Sequence, residues 1–144
     1  MPKLISNLGL PILLSAILLL FLRHSVISPS PYVITAQLIA VAFNIWGRTS
    51  FGKGLFRVKA EPAGGPLMTL GPYRIVRHPM MAAALLFIWS SILGHWGLVN
   101  VFIGLFVTAV AAIRIVYEER LLRDQYPEYA DYARRTKRII PFLL

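Results

Sequence analysis

The chain contains no cysteine. That excludes disulfides, thiolate-held metals and a cysteine nucleophile. Charge is also scarce: only 15% of residues are Asp, Glu, Lys or Arg, against about 25% in an ordinary soluble domain. Acidic residues are the rarest part of that set, six against 15 basic ones, leaving a net charge of +9. No internal repeat and no low-complexity tract is present. In their place is apolar sequence, 57% of the 144 residues, with a mean hydropathy of +0.66. An apolar surplus of this size in a chain long enough for one domain points to a bilayer. The basic residues lie between apolar runs, so the partners they suit are anionic lipid headgroups rather than nucleic acid.

Four apolar segments carry the surplus. Leu4 to Leu22 is almost unbroken, and its 19 residues match the roughly 20 needed to cross hydrocarbon. Lys3 gives it the look of a signal peptide, but Phe21, Leu22, Arg23 and His24 offer no small-residue cleavage site, which predicts a retained helix. Pro31 to Trp46 opens on a proline suited to a first helical turn. Pro79 to Leu93 and Trp96 to Val116 follow, joined through Gly94, His95, Trp96 and Gly97 as a helical hairpin. Trp46 and Trp96 fall at segment ends, where indoles anchor at the membrane interface.

The basic residues sort by loop. Arg48, Lys53, Arg57, Lys59, Arg74 and Arg77 separate the second and third segments, with Glu61 as their only acid. Arg114, Arg120, Arg123, Arg134, Arg135, Lys137 and Arg138 lie at the end of the fourth segment and in the tail. The first inter-helix loop holds only Arg23, and the hairpin turn holds none. This asymmetry predicts four crossings with the central loop, the tail and both termini cytoplasmic, in the cell inner (plasma) membrane. Pro62, Gly64, Gly65, Pro66, Gly71 and Pro72 make the stretch from Ala60 to Pro72 a structured loop. Beyond Glu118 the chain reads as an amphipathic cytoplasmic helix interrupted at Pro127. Tyr126, Tyr129 and Tyr132 recur on one face of it, beside bases suited to headgroups. The predicted fold is therefore all-α: an integral membrane bundle of about four transmembrane helices plus a C-terminal amphipathic helix. Residues 1–144 form one domain, with the chemistry in about residues 60–144.

Two clusters carry candidate chemistry. The first, Gly71 to Pro79, sets a tyrosine, two guanidiniums and an imidazole at the entrance of an apolar helix, where free backbone N–H groups can meet an anion or a carbonyl. The second is Arg114, Glu118 and Glu119. Charges at the end of a membrane helix are costly unless paired or facing a wet cavity. Arg114 and Glu118 share a face, as do Glu119 and Arg123. No metal constellation is visible, since His24, His78 and His95 are scattered, and no Ser-His-Asp order or phosphate-cradling loop stands out. A sulfonium cofactor, S-adenosylmethionine, suits both clusters, because Glu118 would attract its cation. Methyl transfer, a one-step displacement, needs alignment more than acid or base groups.

The run GPYRIVRHP from Gly71 to Pro79 resembles the signature of the isoprenylcysteine carboxyl methyltransferase and phospholipid methyltransferase families. So do EERLL from Glu118 to Leu122, YPEYADYARRTKRIIPF from Tyr126 to Phe142 and, more loosely, GGPLMTL from Gly64 to Leu70. The resemblance covers about residues 50 to 144. It implies a helical membrane methyltransferase that moves a methyl group from S-adenosylmethionine to a lipophilic acceptor entering from the bilayer: a prenylcysteine-like carboxylate, a phospholipid amine or a small hydrophobic molecule. Carried over by position, the cofactor contacts fall on Gly65, Pro66, Leu67, Met68, Tyr73, His78, Pro79, Met80, Met81 and Glu118. Arg114 is similar to an arginine the family places by its substrate, which makes Arg114 and Glu118 the candidate catalytic pair. The chain departs from the family pattern at Met81, where tyrosine is usual, and at Ala83, where glycine is usual. Two other classes share parts of this pattern: a sterol-reductase-like enzyme using NADPH, and a non-catalytic membrane protein that keeps the scaffold.

Overall fold

The computed structural model describes residues 2–50 and 66–140. Among them are five α-helices and no strand: α1 (Pro2–Leu22), α2 (Pro31–Thr49), α3 (Pro79–Gly94), α4 (Leu98–Gln125) and α5 (Tyr129–Arg135), with a 3₁₀ turn at Gly71–Arg74 ahead of α3. Proline stands at the N-terminal turn of α2 and of α3, where its missing N–H costs nothing and its fixed φ already suits a helix. α1 ends with His24 in the left-handed region at φ 52°. Ser25 N–H reaches back to Leu20 O and His24 N–H to Phe21 O, the paired closure that satisfies orphan carbonyls at a helix end.

The first four helices pack antiparallel in the spatial order α1–α4–α3–α2. Arg23 Nε donates to Asn100 Oδ1 at 3.0 Å, and a Cβ on Gly9 would stand 2.8 Å from Arg114 Cδ, so α1 and α4 run in opposite directions along their shared seam. Trp89 Nε1 donates to Thr108 Oγ1 at 3.0 Å between α3 and α4. Close by, Gly104 leaves room for Ile92, whose Cδ1 would lie 2.6 Å from any Cβ there. Between α2 and α3, Gln37 reaches Ser91 and Gly47 abuts Pro79 and Met80. Small residues at such seams let backbones approach where no water drives association.

The core is apolar, built from Leu13, Leu20, Ile88, Ile92, Val107 and Ala111 among others. The outside is apolar as well: Leu18, Leu38, Leu93, Phe102 and Phe106 are all more than half exposed. An apolar periphery of this extent is what a bilayer covers. Among the described helices, α4 is long and apolar enough to cross a membrane alone; Pro11–Leu22 and Pro79–Gly94 are apolar but shorter. At about 1.5 Å per residue, the 28 residues of α4 span roughly 42 Å. The apolar part from Leu98 to Tyr117 matches the roughly 20 residues that cross hydrocarbon, and the more polar Glu118 to Gln125 extends past it.

The tail keeps the expected helix beyond Glu118 and the expected break at Pro127, and departs from expectation in its tyrosines. α4 continues unbroken to Gln125, Pro127 interrupts it, and α5 is only seven residues long. Tyr129 and Tyr132, expected as interfacial anchors, are instead buried, at 0% and 6% exposure, with their rings in edge contact at 5.8 Å. Tyr129 and Tyr132 share the inward face of α5, while Tyr126 caps the C-terminal end of α4 and is half-buried.

Candidate functional site

The burial pattern along α4 positions a polar knot at one end of the bundle. Asn100, Gly104, Val107, Ala111, Ile115 and Glu119 are buried, at intervals of three and four residues. This is the inward stripe of an amphipathic helix. The stripe therefore ends on an acid, and Glu119 enters the protein where Ile115 entered it one turn earlier. Glu118 is rotated about 100° away and keeps 31% of its side chain exposed.

The start of α3 meets the end of α4 here. A Cβ at Gly71, whose φ is +58°, would collide with Ser50 Oγ and crowd Trp46 Nε1 at 3.2 Å. Only glycine serves at this corner, which seats the 3₁₀ turn on the end of α2. The turn leads through Val76, fully buried, to His78 and fully buried Pro79. His78 lies between the two acids, with Nδ1 4.0 Å from Glu118 Oε2 and Nε2 3.5 Å from Glu119 Oε1. Nε2 is buried without a hydrogen-bond partner among the described residues.

Glu119 is the hub. Arg77 Nε reaches its Oε1 at 2.9 Å, Arg138 Nε its Oε2 at 3.3 Å, and Arg123 the same oxygen at 3.5 Å. Burial alone would push this carboxyl up. The His78 imidazole and Arg77 guanidinium outweigh that and hold it well below the usual carboxylate range, at about 2. Arg77 also serves the tail, where its NH1 nitrogen donates to Ala133 O at 2.8 Å, to Thr136 O and to Thr136 Oγ1, closing the C-terminal end of α5. The main chain adds a parallel bridge between Val76 and Lys137. Arg77 N–H donates to Lys137 O, His78 N–H to Arg138 O and Lys137 N–H to Ile75 O. Tyr132 O–H donates to Tyr73 O at 2.8 Å. Burial raises the phenols of Tyr73 and Tyr132 strongly and that of Tyr129 to about 12, so all three are neutral hydroxyls. Tyr129 Oη is buried with no hydrogen-bond partner among the described residues.

The residues singled out in the sequence divide into those gathered here and those set apart. His78, Pro79, Tyr73 and Glu118 come together although 40 positions separate His78 from Glu118. Met80 and Met81 are half-buried in the first turn of α3, Met80 against Gly47. Pro66, Leu67 and Met68 lie in the chain leading to the 3₁₀ turn, Pro66 exposed and the other two half-buried. Gly65 lies outside the described residues. Arg114 is buried one helical turn before Glu118, at the α1–α4 seam, where its NH1 would stand 3.0 Å from a Cβ on Gly9. The N–H groups expected to await a ligand at the α3 entrance are partly used, since the amides of Arg77 and His78 are taken by the tail. Arg77, Glu119, Tyr129 and Tyr132 lie within the sequence motifs but outside the residues expected to contact the cofactor, and the fold brings them into the site as well. The α4 stripe carries a signal for Glu119, because its interval points inward, while the Glu119–Arg123 spacing alone suggests a surface pair. Among the described residues, no group of three or more His, Cys, Asp or Glu is arranged to hold a metal ion.

An all-helical bundle with an apolar exterior, a helix long enough to cross a membrane and a polar knot at one end defines a small membrane protein with a built site. The sequence model of the phospholipid methyltransferase family matches residues 34–129, and the chain belongs to that family. The match runs from α2 to the start of α5 and omits α1. The chain is also 32% identical over 122 residues to the cobalt-zinc-cadmium resistance protein CzcN of Cupriavidus metallidurans. That alignment takes in 79% of the chain and 51% of the relative, so the chain spans about half the length of the curated relative it matches. No solved structure matches the chain significantly.

Proposed function

We propose that the protein is an integral membrane methyltransferase that takes its methyl group from S-adenosylmethionine and passes it to a lipophilic acceptor at the cytoplasmic face. The observation that carries this reading is the pairing of His78 with Glu118 at 4.0 Å in a member of a methyltransferase family. Glu119 is neutralised by three guanidiniums. Glu118 forms no ion pair with a guanidinium among the described residues and stays partly open. It is therefore the acid that suits a sulfonium cation. Tyr129 Oη, buried and without a hydrogen-bond partner among the described residues, is a polar atom of the kind a bound ligand satisfies.

S-adenosylmethionine supplies the electrophilic methyl carbon. Glu118 would face the positive sulfur, Tyr73, His78 and the first turn of α3 would hold and orient the remainder, and α5 would exclude water. Arg114, deeper in the bundle, would meet an anionic group on the acceptor. α1, α2 and α3 cross the bilayer beside α4, with both termini cytoplasmic, in keeping with the basic residues exposed at that end. The membrane is the cell inner membrane, and lipids are the standing partners.

Titration of the purified protein in detergent tests the reading. Binding of S-adenosylmethionine and not of NADPH is expected. Glu118→Gln should weaken it about tenfold, the equivalent of ~1.4 kcal/mol. Tighter binding of NADPH, or unchanged affinity in Glu118→Gln, would remove the assignment.

A further inference from the structure

We infer that Glu119 is a positioning residue: it fastens the C-terminal segment across the α3 entrance and so fixes His78 opposite Glu118. Nothing in the family match assigns this role, and residues 130–140 lie beyond it.

Three elements meet at one carboxylate. Arg77 comes from the α3 entrance, Arg123 from α4 itself and Arg138 from the tail. Arg77 also binds carbonyls at the end of α5, so Glu119 is tied to the tail twice, once through Arg77 and once through Arg138. Around this centre the chain adds the Val76–Lys137 bridge and the Tyr132–Tyr73 hydrogen bond. The rings of Tyr129 and Tyr132 and the side chain of Ile139, which packs against the apolar core, add apolar contact, but α5 with seven residues is too short to be helical on its own. The side-chain links that set this segment against the α3 entrance converge on one buried charge. A side chain 3% exposed loses several kcal/mol of hydration on burial. Removing its charge leaves three cations facing one another.

Two consequences follow. His78 is oriented by Glu119 at its Nε2 and by the tail at its backbone N–H, so its Nδ1 is directed to Glu118 only while the tail is fastened. The fastened tail also covers the site, since Tyr129, which α5 delivers beside the two acids, is wholly buried. The tail must lift for a ligand to enter or leave. This second consequence rests on the proposed cofactor reading; the fastening itself does not.

Hydrogen exchange of the full-length protein in detergent, read residue by residue, tests the inference without any ligand. The reporting amides are Arg77, His78 and Lys137, whose N–H groups make the tail bridge. In Glu119→Gln their exchange should rise about tenfold or more, while Ile88 and Ile92 in the core stay as protected as before. Glu118→Gln should leave all of them unchanged. Arg138→Ala, which alters a half-exposed side chain and should fold normally, should raise exchange at His78 and Lys137 alone. Added S-adenosylmethionine should dissociate faster from Glu119→Gln than from the wild-type protein. If wild type does not bind S-adenosylmethionine, the cofactor reading fails while the exchange result still decides the fastening. Unchanged exchange in Arg138→Ala, or an equal rise in Glu118→Gln and Glu119→Gln, would overturn it.

Discussion

Arg77 is the residue whose loss has the most direct structural cost. Its side chain is 9% exposed and makes an ion pair of 2.9 Å with Glu119, together with hydrogen bonds to Ala133 O, Thr136 O and Thr136 Oγ1. Arg77→Met keeps the aliphatic stem and much of the volume but removes every polar contact. A hydrogen bond to a charged group contributes about 1.5–3 kcal/mol, and breaking a buried ion pair by removing one partner costs about 3–5 kcal/mol. Glu119 retains Arg123 and Arg138, which are half-exposed and screen it in part, so the lower half of that range applies: about 3–4 kcal/mol. Arg77→Lys should recover only the point charge towards Glu119, because an ammonium lacks the planar fork that serves the acid and the α5 carbonyls together; a loss of about 2 kcal/mol is expected. Equilibrium unfolding in mixed micelles, followed by circular dichroism, measures both. The order wild type, Lys, Met is the signature. A loss under about 1 kcal/mol in Arg77→Met would mean that the contacts are solvent-screened surface pairs and that the knot does not hold the tail.

Four further outcomes are expected. Because Glu119 sits at about 2 when folded against an ordinary 4.5, its stabilisation is complete above pH 4.5 and drains away as pH falls towards 2; acid titration of the fold should show this loss, and Glu119→Gln should flatten it. Tyr129→Phe removes a buried hydroxyl with no partner among the described residues, so stability should hold or rise by up to about 1 kcal/mol while ligand affinity drops; a clear loss of thermal stability would show that the hydroxyl already serves the fold. Arg114→Leu should spare cofactor binding and abolish transfer to the acceptor, measured by calorimetry and by methyl incorporation; equal loss of cofactor affinity in Arg114→Leu and Glu118→Gln would remove the substrate role. The chain has no cysteine, so single cysteines at Lys137 and His95 report topology in intact cells: labelling from outside at position 95 and none at 137 is expected, and the reverse would invert the bundle.

Helix content, the membrane class and the pairing of the two motifs were legible in the sequence, because each is a local or compositional property. Apolar runs near bilayer length appear as helices. Pro31 and Pro79 open their helices, and Gly94 closes α3. The RHP and Glu-Glu motifs marked two stretches that the fold brings together at His78 and Glu118, since polar residues at the end of an apolar helix are costly unless gathered. Three matters were decided by the tertiary structure alone. The three- and four-residue stripe of α4 ends on Glu119, but Arg114 and Glu118 share a second such interval, and the phase of α4 against α1 and α3 decides between the two acids. That phase is fixed by Gly104, Val107 and Ala111 in the seam. The tail tyrosines read as a face beside the headgroups, and what turned Tyr129 and Tyr132 inward was the folding back of the tail through the parallel bridge from Val76 to Lys137, a contact 61 positions apart that no periodicity encodes. In the sequence Arg77 was one of two guanidiniums at the α3 entrance, with no partner assigned to it. It became the link between acid and tail only when α5 folded back and brought its terminal carbonyls within reach of a guanidinium already bound to Glu119.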